Sequence, residues 1–224
     1  MQSAFFMTGI GTDVGKTLAA AVLTEALQAA YWKPVQAGYA DGTDTETVRR
    51  LTGDPGIRLF PELYKLAMPA SPHIAARQET TDIRIDKILD AANSILARIG
   101  EQPLLIEGAG GLMVPLNEQD FVADLALQLP VKLILVSRNY LGSINHSLLT
   151  AARCKEMGLP VAGWIFNDDY LNYAEEIVQW SGYPLLATIP AMDSVTPERV
   201  QQLARDLRPV LKEKLFITGG HRQK

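Results

Sequence analysis

The run Gly9-Ile10-Gly11-Thr12-Asp13-Val14-Gly15-Lys16-Thr17 has the make-up of a polyphosphate cradle. Glycines let successive backbone N–H groups converge on phosphate oxygens, and a helix starting at the end of the run adds partial positive charge. Lys16 is then placed for β- and γ-phosphates and the Thr17 hydroxyl for Mg²⁺. Five residues separate Gly9 from Gly15, one more than the standard loop has. An ordinary glycine turn is the alternative, and the Gly-Lys-Thr ending at a helix start argues against it.

Other residues could complete such a site. Glu107 ends an apolar run and precedes Gly108-Ala109-Gly110-Gly111, where a second-strand carboxylate would hold Mg²⁺ and the glycines would let backbone pass close to a ligand. Lys33, between Trp32 and Pro34, is either a snorkelling surface lysine or a partly desolvated ammonium suited to stabilising developing negative charge. Asp44 is either a helix N-cap, with Thr43 as an alternative cap, or a metal ligand. Asn167, followed by Asp168, either reads a base edge or forms a loop turn. Leu141-Gly142-Ser143-Ile144-Asn145 opens a helix whose free N–H groups could bind a carboxylate, with Ser143 as its cap. Nothing in the sequence pairs His73 or His146 with an acid or nucleophile, and Cys154 falls in an apolar helical pattern, so these read as structural.

Positioning such residues calls for strands alternating with helices. Apolar strands are expected at Ala4–Met7, Tyr31–Val35, Pro103–Glu107, Val131–Val136, Val161–Phe166 and Leu185–Ile189. Helices are expected at Leu18–Ala30, Thr45–Leu51, Asp86–Ile99, Phe121–Gln128, Ser143–Met157, Leu171–Trp180 and Pro197 to about Lys214. Nearly continuous apolar strands argue for a mostly parallel sheet covered on both faces, an α/β three-layer sandwich. Thr52–Ser71 reads as irregular, and residues 1–217 as one domain with a frayed tail at 218–224.

Composition narrows the field. A chain of 224 residues with 47% hydrophobic and 21% charged residues fits one globular domain. The formal charge of −4, with no basic block, gives no purchase for nucleic acid or an anionic membrane. One cysteine excludes an intramolecular disulfide and a cysteine metal cluster. Without a signal-peptide pattern or a long apolar run, the expected location is the cytoplasm.

Taken together, the chain resembles the dethiobiotin synthetase family, of the P-loop NTPase fold, from Thr8 to about Met192. The resemblance rests on Gly11 to Thr17, Lys33-Pro34-Val35, Ser71-Pro72-His73-Ile74, Glu107 to Gly111 with Pro115-Leu116, Leu141 to His146, and Gly163 to Asp168. It implies an ATP- and Mg²⁺-dependent ring closure of 7,8-diaminononanoate with CO₂, in a homodimer. By position, Lys33, Lys16 and Thr12 would act on the carbamate and the transferring phosphoryl group. Thr17, Asp44 and Glu107 would hold Mg²⁺. Thr12 to Thr17 and Gly108, Ala109 and Gly110 would cradle the nucleotide, which Asp13 would touch. Asn167 and Asp168, with Pro190, Ala191 and Met192, would border adenine. Ala37 and the Leu141–Asn145 helix start would meet substrate, the latter across subunits.

Two departures stand out. Ala37 replaces the family's usual hydroxyl residue, a loss that Gln36 or water could cover, and no glycine turn follows the first helix. Two other ATP-using classes fit less well. Amidoligases of the cobyric-acid type carry a glutaminase cysteine and histidine, for which Cys154 has no evident partner. Partition and division ATPases have a lysine where this loop has Gly11.

Overall fold

The computed structural model describes residues 3–216 apart from 170 and 172, so the expected tail lies outside the described residues. A seven-stranded sheet in the order β4-β2-β6-β1-β7-β8-β9 forms the centre. Its strands are β1 (Ala4–Gly9), β2 (Ala30–Trp32), β4 (Leu59–Phe60), β6 (Leu104–Gly111), β7 (Lys132–Arg138), β8 (Val161–Asn167) and β9 (Leu185–Ile189). Every neighbouring pair is parallel. That is the arrangement expected when strands are joined by helical crossovers.

Apolar residues face both ways from the sheet. One core layer gathers Phe5, Met7, Tyr31 and Leu105 with α1 (Lys16–Leu27), α2 (Asp44–Leu51) and α8 (Pro197–Phe216). The other gathers Phe6, Trp32, Ile106 and Trp164 with α3 (Pro72–Gln78), α4 (Ile85–Ile99), α5 (Val122–Gln128), α6 (Ser143–Glu156) and α7 (Ala174–Ser181). Consecutive strand residues thus feed opposite layers, as a period of two requires. Ten of the twelve residues of α1 are buried, because this helix is covered by α8 as well as by the sheet.

The strand expected over Tyr31–Val35 is two strands. Pro34 has no N–H to give a ladder and restricts the residue before it, so the chain leaves the main sheet at Lys33. It then forms β3 (Val35–Ala37), which pairs in parallel with β5 (Tyr64–Leu66) in a separate two-stranded sheet. The Pro34 carbonyl accepts hydrogen bonds from the Leu63 and Tyr64 N–H groups. Thr52–Ser71, expected to be irregular, therefore contains β4 and β5, and α3 follows it.

Element boundaries also differ from expectation, three of them for a clear local reason or by several residues. β6 runs through the glycines to Gly111, so Glu107 lies inside a strand and not at its end. α1 stops at Leu27, where Gln28 adopts a left-handed conformation (φ 53°) and makes the turn that a glycine would make more cheaply. Among the described residues, α7 begins at Ala174, later than the expected Leu171.

Candidate active site

The loop after β1 opens at the carboxyl ends of the strands, where the sheet order turns: from β1 the chain runs to β2 on the β6 side, and later it crosses from β6 over β1 to β7 and on to β8 and β9. Ligands bind at such a reversal of strand order in parallel sheets. Gly15 caps α1 with φ 83°, and a Cβ there would lie 1.8 Å from the Asn167 Nδ2. Only glycine lets β8 approach the loop this closely. Asn167 closes β8 and its amide donates to the Val14 carbonyl at 3.3 Å, so it is a strand residue and not part of a turn. On β6, Gly108 lies against the Phe6 ring, where a Cβ would stand 2.9 Å from ring carbons.

Beside the loop, four elements bring their polar residues to one point. The Lys33 ammonium bonds the Asp44 Oδ2 and, at 3.1 Å, the Glu107 Oε1. Thr17 Oγ1 reaches the Asp44 Oδ1 at 2.9 Å and the Glu107 Oε1 at 3.4 Å. The phenol of Tyr31 donates to the remaining Glu107 oxygen at 2.9 Å. Lys16 Nζ donates to the Gly11 carbonyl at 2.9 Å.

Asp44 is free for this network because Thr43 is the cap of α2. Its hydroxyl accepts from the Glu46 N–H while the Glu46 carboxylate accepts from the Thr43 N–H, a capping box. Asp44 becomes the first helical residue and presents its carboxylate to Lys33. Of the two readings of this position, the cap falls to Thr43.

Burial gives these charges their character. It pushes the Lys16 ammonium down to about 8, against the pull of Glu107. For Lys33 burial acts the same way, but Glu107 and Asp44 outweigh it and the ammonium is held above its ordinary range. Lys33 is therefore a fixed cation, 5% exposed, and not a snorkelling surface lysine. Burial raises the Glu107 carboxyl, with Lys33 opposing. It would raise Asp44 too, yet Lys33 and the Thr17 hydroxyl hold that carboxyl below its usual range. Tyr31 is pushed well above the usual phenol range, first by burial and then by Glu107, so it stays a hydrogen-bond donor.

Lys16, Thr17, Lys33, Asp44 and Glu107 face a cleft of about 810 Å³ that also takes in Thr12, Asp13, Gly15, Ala37, Ala109, Gly110 and Asn167. Val14, within the loop, is buried, and Asp168 does not line the cleft but is ion-paired with Arg138 at 3.2 Å. Pro190, Ala191 and Met192 follow β9, whose Ile189 pairs with Asn167, and they do not line the cleft. Leu141, Gly142, Ser143, Ile144 and Asn145 lie outside it as well. The cap of α6 is Gly142 (φ 103°), and Ser143 instead accepts a hydrogen bond from the Tyr140 N–H.

The sequence reading passed over one charged residue of the cleft. Arg138, at the end of β7 and paired in register with Asn167, lines the cleft. Its position just after the expected strand Val131–Val136 is the clue that could have found it. Gln36 spends both ends of its amide locally, donating to the Gly38 carbonyl and accepting from the Asp44 N–H. One N–H and one acceptor lone pair of the amide are left over, and Gln36 lines the cleft beside Ala37. His73 and His146 bond Ser71 and Tyr140, and Cys154 is buried, its thiol pushed up to about 12 by burial.

The family model described as an AAA domain matches residues 3–199. Among curated proteins, the ATP-dependent dethiobiotin synthetase BioD of Cytophaga hutchinsonii is 44% identical over 89% of this chain and 94% of its own length. That of Afipia carboxidovorans is 42% identical over 90% and 93%. The chain belongs to the dethiobiotin synthetase family. Its members are ATP-dependent ligases of biotin synthesis, and a phosphate-cradling loop is what nucleotide use requires. Solved structures extend the likeness at the level of fold alone. A ParA family ATPase from Chlorobium tepidum TLS superposes with a TM-score of 0.59 at 16% identity, covering 97% of this chain and all of its own. MinD complexed with Mg-ADP, from Pyrococcus horikoshii OT3, gives 0.60 at 16% identity with the same coverage.

Proposed function

We propose that this cleft converts 7,8-diaminononanoate, CO₂ and ATP into dethiobiotin, ADP and phosphate. The observation that carries the reading is the meeting of Lys16, Lys33, Thr17, Asp44 and Glu107 at the mouth of a phosphate-cradling loop. One amine of the diamine adds to CO₂ as a carbamate. The carbamate oxygen takes the γ-phosphoryl group of ATP, and the neighbouring amine attacks the resulting mixed anhydride. A C–N bond forms, phosphate leaves with the C–O bond electrons, and the ureido ring is closed.

Such chemistry needs charge neutralisation and alignment more than a covalent nucleophile. Lys33, held protonated by two carboxylates, is suited to the carbamate and the transferring phosphoryl group. Lys16 leaves the Gly11 carbonyl for phosphate oxygens. Thr12 and the backbone of Asp13 to Thr17, with Gly108 to Gly110 opposite, border the polyphosphate, and the adenine extends past Asn167, out of the cleft toward Asp168 and Pro190 to Met192.

Mg²⁺ fits the donors present. Thr17, Asp44 and Glu107 offer hard oxygens clustered within 3.4 Å of the threonine hydroxyl. No group of three His, Cys, Asp or Glu among the described residues could hold a metal by itself. This suits an ion that takes one or two carboxylates and completes its shell with phosphate and water. When bound, it would neutralise phosphate charge.

Leu141–Asn145 lies outside the cleft of its own chain, and Leu141 is 94% exposed. Both facts support a homodimer in which this helix start meets the substrate carboxylate in the other subunit's cleft. No helix among the described residues is long and apolar enough to cross a membrane.

The test is phosphate release from Mg·ATP, expected only when bicarbonate and the diamine are both present. Hydrolysis that is independent of diamine and stimulated by DNA or lipid would overturn the reading.

A further inference from the structure

Glu107 is completely buried and uses both carboxylate oxygens, but on different partners. Oε1 faces the Lys33 ammonium and the Thr17 hydroxyl, whereas Oε2 accepts only from Tyr31 among the described contacts. The register of the sheet produces this arrangement. Tyr31 of β2 pairs with Leu105 of β6, so Glu107, two residues further along, shares its face, within reach of a long aromatic side chain. Tyr31 is itself fully buried and has no access to the cleft. Its hydroxyl acts on the site through Glu107 alone.

We infer that Tyr31 is a positioning residue that holds Glu107 so that a single carboxylate oxygen, Oε1, is offered to the cation of the nucleotide complex. A carboxylate released from the phenol could turn and engage Lys33 with both oxygens. That would take Oε1 from the Thr17 side and leave Asp44 as the main anionic ligand. Groups that orient a metal's ligands in this way commonly change metal affinity on the order of tenfold or more when removed.

The inference rests on the reading that Thr17, Asp44 and Glu107 hold Mg²⁺, and the experiment separates the two. Mn²⁺ serves as the probe, and its binding to the full-length protein with ADP is followed by electron paramagnetic resonance. Tyr31→Phe is expected to weaken Mn²⁺ binding on the order of tenfold, while ADP affinity measured without metal stays within about twofold. Asp44→Asn, in the same titration, tests the metal reading itself. If Asp44→Asn weakens Mn²⁺ and Tyr31→Phe does not, the role of Tyr31 is overturned and the metal site stands. If neither variant changes Mn²⁺ binding, both fall. A lower melting temperature with unchanged Mn²⁺ affinity would make Tyr31 merely structural and likewise overturn the inference. Should Tyr31→Phe fail to fold, Tyr31→Met, a smaller and adaptable apolar side chain without the hydroxyl, carries the same expectation of weakened Mn²⁺ binding.

Discussion

Lys33 bridges two carboxylates whose repulsion it relieves, and in the proposed reaction it would face the developing negative charge. Lys33→Met keeps much of the side chain's volume and removes the cation. Turnover is expected to fall on the order of 100-fold or more, the usual cost of removing a donor aimed at developing charge. ADP affinity should change little, because Lys16 and the loop backbone remain. Steady-state kinetics and calorimetric ADP titration would check both halves, and unchanged turnover would take Lys33 out of the mechanism. Lys33, Glu107 and the loop were legible because proline and glycine flag backbone that approaches a ligand. Asp44 was ambiguous because Thr43 and Asp44 can both cap a helix. Tyr31 was hidden altogether. In sequence it is one more apolar strand residue, and its contact with Glu107 depends on the pairing of two strands more than seventy residues apart.

At the scale of the element, α2 is a short helix with an unusual duty, since its first residue carries Asp44 to the site. The Thr43–Glu46 capping box fixes where that helix begins. Thr43→Ala should cost about 1 kcal/mol of stability, a fall in Tm of about 2–4 °C for a domain of this size. If the cap also places Asp44, the variant should need more Mg²⁺ for half-maximal activity, measured in the same preparation. A lowered Tm with an unchanged Mg²⁺ requirement would limit the capping box to stability. The longer helices were legible from their apolar spacing, and boundaries moved by a few residues. β3, β4, β5 and α3 were not. Strands of two or three residues are too short to show a period, and the break at Pro34 sends the chain into a second sheet that local pattern does not reveal.

For the molecule as a whole, strand-helix alternation was enough to expect a parallel, doubly covered sheet. The strand order was not, because it is set by which crossovers pack on which face. In the proposed homodimer, the far end of an extended substrate would be met by the Leu141–Asn145 helix start of the other subunit. If so, each active site combines the Lys33 of one subunit with the α6 start of the other, and two different lesions can complement each other. Lys33→Ala spoils the first half. Gly142→Asp spoils the second, by placing a carboxylate and a side chain at a cap with φ 103°. Each variant alone should be nearly inactive. In an equal mixture that has exchanged subunits, half the dimers are mixed and each contains one intact site, so roughly a quarter of wild-type activity should return. Native mass spectrometry would verify exchange before the assay. Activity no greater than the mean of the separate variants, with mixed dimers present, would place the whole substrate site within one chain.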